Sequence, residues 1–307
     1  MRILNFGSLN IDYVYRVDSF VKPGETKACK GLSVNCGGKG LNQSVAAARA
    51  GCEVYHAGLV GADGGMLLDK LREKGVDISL LERSSGLSGN AIIEVDDAGQ
   101  NRIILFGGTN RCLTEAGIDK TLDCFGTEGL VLVQNETNLV DRILIKAHER
   151  GLKTAFNAAP MEERVKAYPL DLVDYLLVNE VEGAALAGTE DESEIVSRLI
   201  ARYPRLSLVL TLGERGAVFA SKDTVLSIGS CTVPVADTTA AGDTFTGFFL
   251  YGILSGKGPA EALRMATAAS ALCVQRPGAA DSVPALAEVE AVMASGALCV
   301  PAVITLR

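Results

Sequence analysis

Short apolar runs recur along the chain, separated by longer stretches in which apolar positions return every third or fourth residue. The runs at residues 2–7, 53–59, 130–134, 153–157, 175–178 and 208–212 predict β-strands. The helical period marks residues 41–50, 66–74 and 139–150, and each of these stretches closes on a glycine: Gly51, Gly75 and Gly151. A glycine just past the last periodic residue is the expected left-handed stop. Strands and helices alternating at these lengths predict an α/β protein with a mostly parallel sheet covered by helices on both faces. Residues 11–35 and 88–107 break the alternation. In the second, alternating runs at 89–95 and 101–106 flank Asp96-Asp97-Ala98-Gly99, a hairpin pattern. Together these segments predict a small sheet beside the main domain, the place for a lid; an edge extension of the main sheet is the other reading. No internal repeat and no low-complexity linker interrupts the chain.

A length of 307 residues allows one large domain with an appendage or two domains. Both organisations stay open at this point; the apolar stretch that closes the chain, CVPAVITLR at 299–307, is either a packing strand or a frayed end. The formal charge of −8 argues against nucleic acid or an anionic membrane as partner, and aromatics at 5% leave little for base stacking. Eight cysteines lack CxxC spacing, and the two histidines, His56 and His148, lie far from any cysteine cluster, so no zinc pattern is present. The cysteines are expected to be reduced and mostly buried in a cytoplasmic protein. The opening MRILNFGSLNID breaks its apolar run at Asn5 and carries no signal-peptide core, and no run is long enough for a membrane span.

Ligands of open α/β sheets bind outside the carboxyl ends of the strands. The residues there are Asn10 and Asp12, Glu136, Asn157, Asn179 and Glu182, then Thr211, Gly213 and Glu214. Carboxylates and amides with few cations suit a neutral polyhydroxylated ligand, although each residue alone also serves as a turn former. The stretch NCGGKGLNQSVAAARAG, residues 35–51, fails both the Walker A and the GxGxxG patterns. What it offers is a glycine-rich turn opening an alanine-rich helix. Either the small residues serve tight helix packing, or they let a ligand hydroxyl reach the backbone with Asn42 beside it.

The stretch VADTTAAGDTFTGFF, residues 235–249, places Ala240, Ala241 and Gly242 directly before Asp243 and an apolar run. Asp243 has an ordinary reading as a helix N-cap. A helix N-terminus also favours an anion, and small residues let that anion come close. A carboxylate at such a site repels phosphate unless it works as a base. An anion hole with an adjacent base is what phosphoryl transfer to an alcohol requires.

These residues resemble the PfkB carbohydrate kinases. GGKGLNQSVAAARAG at 37–51 and DTTAAGDTFTG at 237–247 are similar to the two family signatures, and GSLNID at 7–12, NEVE at 179–182 and TLGERG at 211–216 match in order. The resemblance runs from about residue 5 to residue 284, and it implies a single kinase domain over residues 1–300 followed by a tail at 301–307. It implies the ribokinase-like three-layer sandwich with a small β-sheet lid, and ATP-dependent transfer to the terminal hydroxymethyl of D-ribose or a close sugar. By it, Asp243 is the base and the N–H groups of Ala241 and Gly242 hold the transferred phosphoryl. Asn10, Asp12, Gly38, Lys39, Asn42 and Glu136 hold the sugar. Asn179 and Glu182 arrange magnesium and the nucleotide phosphates through water; Thr211, Gly213, Gly216 and Thr267 border the nucleotide. Asp237, Thr239, Cys273, Arg276, Gly278 and Ser282 form a monovalent-cation (potassium) site. Ile11 and Leu41 are bulkier than the residues usual beside the sugar, Thr267 replaces a frequent histidine or asparagine, and Asn135 and Thr137 flank Glu136 in an unfamiliar way. Those departures bear on which acceptor is used: fructose, a keto-deoxy sugar acid or a nucleoside are the alternatives, with Tyr13 and Tyr15 as aromatic partners for the last. A non-catalytic sugar-binding protein is the reading from another class. Pairing of two copies through the lid edges is a further expectation.

Overall fold

In the computed structural model, which describes residues 1–306, ten strands form one sheet. From one edge it runs β5 (Leu81–Arg83), β4 (Glu53–Val60), β1 (Arg2–Phe6), β8 (Leu130–Gln134), β9 (Lys153–Asn157), β10 (Tyr175–Asn179) and β11 (Ser207–Thr211), all paired in parallel. Three antiparallel strands complete it: β12 (Ala217–Ala220), β13 (Val225–Ile228) and β14 (Ile304–Thr305). A separate four-stranded sheet holds β3 (Gly31–Gly37), β2 (Asn10–Arg16), β6 (Gly89–Val95) and β7 (Asn101–Phe106) in that order. Its outer pairings are antiparallel and its central β2–β6 pairing is parallel.

Side-chain alternation along the central strands divides the core into two layers. Ile3, Leu130, Leu132, Leu177 and Val209 face helices α1 (Lys39–Arg49), α2 (Gly65–Glu73), α7 (Ala241–Leu254), α8 (Gly258–Cys273) and α9 (Leu286–Ser295). Leu4, Val131, Val133, Leu176 and Leu208 face α3 (Glu115–Phe125), α4 (Val140–Glu149), α5 (Glu180–Ala187) and α6 (Glu192–Arg202). Every residue of β8, LVLVQ, is buried, as expected of a central parallel strand covered on both faces. The result is the three-layer sandwich with a lid sheet apart from it, rather than one extended sheet.

The glycine stops hold: Gly51, Gly75 and Gly151 have φ of 103°, 81° and 73°. The Asp96 carboxylate closes the β6–β7 hairpin by accepting from the N–H groups of Ala98 and Gln100, both at 2.9 Å. The tail supplies β14, which pairs with β13; Arg307 lies outside the described residues. The cysteines require a correction. All eight are free, but Cys29, Cys112, Cys124 and Cys299 are exposed and Cys36 is half-buried, leaving only Cys52, Cys231 and Cys273 in the interior. The exposed four sit on loops, on the outer side of α3 and just before the tail, where the periodicity leaves no buried position for them. Among the described residues no helix is long and apolar enough to cross a membrane.

Candidate active site

Helices α1 and α7 cross where Gly247 meets Ala46; a methyl on Gly247 would stand 2.5 Å from the Ala46 Cβ. This contact brings the first turns of the two helices together at the carboxyl ends of β1 and β8. Gly40 likewise leaves no room for a side chain against the backbone of Gly7 and Ser8. Asp243 is therefore held against α1: Asn42 Nδ2 donates to its Oδ2 at 3.0 Å, and Gln43 Nε2 donates to its Oδ1 at 2.9 Å. The N-cap reading of Asp243 is thereby set aside. Ala240 occupies the cap with a left-handed φ of 61°, and Asp243 is the third residue of α7. It is buried, with 7% of its surface exposed.

On the lid side, Asn10 is buried and its Oδ1 accepts from Asn110 Nδ2 at 2.8 Å. Asn110 also clamps the Leu9 backbone, its Oδ1 accepting from Leu9 N at 2.9 Å. Glu136 Oε2 accepts from the Lys39 N–H at 2.9 Å and from the Ser8 hydroxyl. A carboxylate at the start of α1 matches the positive end of the helix. Asp12 lies over Gly37, where any side chain would fall on its carboxylate. Burial, with the Glu136 charge adding to it, pushes the Asp12 carboxyl up to about 7. The Lys39 ammonium is held above its ordinary value mainly by Asp243, against the pull of burial, with Glu136 and Glu182 adding to it. Lys39 thus faces the carboxylates of α7, the β8 end and α5 at once. Asn42 Oδ1 is buried with no partner, an acceptor left open beside Asp243.

Two cavities meet at the start of α7. One, of about 210 Å³, is lined by Lys39, Asn157, Asn179, Glu182, Gly242 and Asp243 among others. The second, of about 900 Å³, is lined by Thr211, Gly213, Gly216, Cys231, Val233, Phe245 and Thr267. Thr211, Thr238, Ala241 and Gly242 border both. The Ala241 N–H reaches the Thr238 carbonyl at 3.2 Å, whereas the N–H groups of Gly242 and Asp243 have no protein acceptor among the described residues. A methyl built on Gly242 would meet no atom within 4 Å. Nothing in the protein itself demands glycine there. Asn179 and Glu182 form a capping box on α5: the Asn179 N–H and Nδ2 donate to the two Glu182 oxygens at 2.9 and 3.0 Å, and the Glu182 N–H donates to Asn179 Oδ1 at 3.0 Å. Burial raises the Glu182 carboxyl above its ordinary value, partly offset by Asn179 and Lys39. Thr267 Oγ1 is buried without a partner.

Asp237 stands behind this opening. Its Oδ1 accepts from the Thr239 N–H at 2.9 Å and hydroxyl at 2.6 Å, and its Oδ2 from the Gly278 N–H at 3.0 Å. Burial works upward on this carboxyl but is outweighed by these bonds, which hold it below its ordinary value. Cys273 Sγ lies 3.8 Å from the Thr239 carbonyl and 3.0 Å from Ser282 Oγ. Residues 237, 239, 273, 278 and 282 are thus brought together. The Arg276 guanidinium is drawn away to Glu288, at 3.0 and 3.4 Å. Asn135, singled out beside Glu136, is tied into the fold, its Nδ2 donating to the Pro160 carbonyl at 2.7 Å, whereas Thr137 is buried with its Oγ1 unpartnered. Sequence reasoning passed over Gln43, Ser8, Gln134 and Asn110. Gln43 and Ser8 left a trace, as the residue after Asn42 in the glycine-rich stretch and as the second residue of GSLNID.

A family model described as pfkB family carbohydrate kinase matches residues 2–286. Ribokinase of Haemophilus influenzae is 34% identical over 287 residues, covering 91% of this chain and 94% of that protein. Among solved structures, ribokinase from Thermotoga maritima superposes with a TM-score of 0.84 at 34% identity, covering 95% of this chain and 99% of that one. Arabidopsis thaliana ribokinase, complexed with ribose and ATP, gives 0.83 at 27% identity, covering 95% and 98%.

Proposed function

The chain belongs to the pfkB family of carbohydrate kinases, phosphotransferases acting on a sugar hydroxyl, and from that premise we propose that it transfers the γ-phosphoryl of ATP to the terminal hydroxymethyl of D-ribose. The observation that carries this reading is the place of Asp243: its carboxylate sits where the sugar-side amide of Asn42 meets the opening of the two cavities. The sugar lies between Asn10, Asp12, Gly38, Lys39, Asn42 and Glu136, whose amides and carboxylates pair with its hydroxyls. The unpartnered Asn42 Oδ1 accepts one of them. The acceptor O–H gives its proton to Asp243 as its oxygen bonds to phosphorus; the bond to the bridging oxygen breaks and ADP leaves. The free N–H groups of Gly242 and Asp243 receive the phosphoryl oxygens, joined by that of Ala241 once it leaves Thr238, and the Lys39 charge balances the growing negative charge.

The larger cavity takes the nucleoside, with Thr211, Gly213 and Gly216 along one wall and the free Thr267 hydroxyl on another. Glu182, a buried carboxylate beside the phosphate cavity, suits a magnesium ion held through water, and Asn179 fixes its orientation. Magnesium, when bound, neutralises phosphate charge. The oxygen donors at Asp237, Thr239, Gly278 and Ser282 suit potassium, and the removal of the Arg276 charge to Glu288 favours a cation there. We place the protein in the cytoplasm as one catalytic domain, paired with a second copy through the lid. The exposed apolar residues Leu32, Val34, Ile92, Ile103, Ile104, Leu105 and Phe106 on the lid strands support that pairing.

The test is a kinase assay over a panel of sugars and nucleosides, with Asp243→Asn beside the parent. Ribose is expected to be the best acceptor. The variant is expected to bind it and lose about a thousandfold or more in turnover. Near-parental turnover in Asp243→Asn overturns the assigned base, and preference for a nucleoside overturns the acceptor.

A further inference from the structure

Behind Asp243 runs a buried train of side chains that the transfer reaction does not touch. Gln43 Nε2 donates to Asp243 Oδ1, and Gln43 Oε1 accepts from Gln134 Nε2 at 2.7 Å. Gln134 Nε2 donates its second hydrogen to Asn5 Oδ1 at 3.0 Å. Asn5 Nδ2 donates to the Gly40 carbonyl and to Ser44 Oγ, both at 2.8 Å. Ser44 Oγ lies 2.8 Å from His56 Nδ1, and His56 Nε2 lies 3.2 Å from the Gly7 carbonyl. The train crosses β4, β1 and β8 beneath α1; Gln43, Asn5, Ser44 and His56 are 0% exposed and Gln134 is 1% exposed.

The direction of every bond follows from its far end. A carbonyl only accepts, so His56 carries its proton on Nε2, and Nδ1 accepts from the Ser44 hydroxyl. Burial keeps this imidazole neutral, its pKa lowered to about 4. The Gly40 carbonyl likewise fixes the Asn5 amide. With Asn5 fixed, Gln134 must present nitrogen, and Gln43 must turn oxygen to Gln134 and nitrogen to Asp243. A flipped Gln43 would set oxygen against a carboxylate and nitrogen against nitrogen. Asp243 Oδ1 is consequently tied to the interior, and Oδ2, shared with Asn42, is the oxygen turned to the acceptor side.

We propose that Gln43, oriented by Gln134, is a positioning residue that holds the plane of the Asp243 carboxylate so that Oδ2 meets the acceptor hydroxyl. This rests on Asp243 being the base. A carboxylate free to rotate leaves the reactive arrangement, and misplacement by about 1 Å is enough to slow chemistry roughly a hundredfold.

The experiment compares Gln43→Met, Gln134→Met and the double variant in single-turnover phosphoryl transfer, with ribose affinity by calorimetry and folding by thermal melts. Gln43→Met is expected to lose about ten- to a hundredfold in the transfer rate while ribose affinity stays within about threefold. Gln134→Met, which leaves every group touching Asp243 in place, is expected to show a smaller loss of the same kind and carries the test alone should Gln43→Met not fold. Because Gln134 acts through Gln43, the double variant is expected to be no slower than Gln43→Met. Transfer within twofold of the parent in a folded variant, parallel loss of ribose affinity, or additive losses in the double variant overturn the positioning role. Turnover retained in Asp243→Asn overturns the assigned base instead, so the two failures are told apart.

Discussion

Gly242→Ala separates what the opening of α7 does for the fold from what it does for chemistry. The added methyl meets no atom within 4 Å, and Gly242 is the second residue of α7, so the protein itself accepts alanine. Replacing a helical glycine by alanine removes backbone freedom from the unfolded chain and contributes about 0.5–1 kcal/mol. Spread over 307 residues, unfolding entropy of about 2 cal/mol/K per residue converts this to a rise in melting temperature of about 1 °C. The same methyl enters the space that joins the two cavities, where the proposed transfer brings a phosphoryl oxygen to the free Gly242 and Asp243 N–H groups. Loss of one such donor costs about a hundred- to a thousandfold in turnover, roughly 3–4 kcal/mol of transition-state stabilisation.

The expected variant is thus slightly more stable and much less active, an outcome that misfolding cannot produce. ADP formation at saturating ribose gives the turnover, and thermal melts give the stability. Gly247→Ala on the same helix is the control. Its methyl would press on Ala46 at 2.5 Å and force α1 away from α7, so stability is expected to fall by about 1–3 kcal/mol along with activity. Gly242→Ala with turnover within threefold of the parent refutes the anion hole. A drop of several degrees in its melting temperature refutes the claim that only the ligand needs glycine there.

Three further outcomes follow from the charges and surfaces. The Asp12 carboxyl, at about 7 against an ordinary 3.8, keeps in the folded state a proton that the unfolded chain has released. Its contribution is full below pH 3.8 and is lost as pH rises to about 7. The neutral His56, at about 4 against 6.5, acts the opposite way, stabilising above pH 6.5 and losing that contribution as pH falls toward 4. Asp12→Asn is expected to remove the first loss and leave the second. Denaturant melts of the sugar-free protein at pH 4, 5.5 and 7 decide, and parallel profiles for parent and variant speak against the raised carboxyl. Asp237→Ala removes the acceptor that ties Thr239 to Gly278 and is expected to abolish stimulation by potassium while ribose affinity holds; an unchanged potassium titration sinks that site. Ile104→Asp places a charge on an apolar lid residue that is 70% exposed and is expected to shift the protein to monomer in sedimentation at micromolar concentration, whereas an unchanged species removes the lid from the interface.

The central sheet was readable because its strands are buried on both faces and its helices end on glycine. A run such as LVLVQ needs no partner to be recognised, and Gly51, Gly75 and Gly151 mark their stops by the backbone conformation they allow. The strands β12 and β13 were missed because AVFA and VLSI are too short for any period to show, and both depend on the antiparallel ladder begun by β11. The exposed cysteines were misjudged for a related reason: residue type carries an average burial, and four of these positions lie where no core reaches them.

The site divides along the same line. Asp243, Asn42, Glu136 and Glu182 could be singled out because each stands in a local pattern of small or turn-forming residues. Local pattern does not distinguish the cap of a helix from its third residue, and here Ala240 takes the cap in a left-handed conformation that ordinarily costs an alanine about 1 kcal/mol or more. That strained turn is what swings Asp243 inward against Asn42 and Gln43 instead of over its own helix end. The groups that complete the arrangement come from afar: Gln134 reaches Gln43 across 91 residues, and Asn110 reaches Asn10 across 100. Gln134 occupies a position that an apolar residue would fill equally well in a periodic reading, and Asn110 lies in a short turn where an amide draws no notice. The polarity of Gln134 becomes meaningful only once the sheet brings it under α1, and that of Asn110 once its turn meets Leu9 and Asn10; a buried amide without partners would be destabilising by about 1–3 kcal/mol. A buried glutamine at the end of an otherwise apolar strand is therefore the feature in this sequence that most called for a partner, and Asp243, through Gln43, is where that partnership ends.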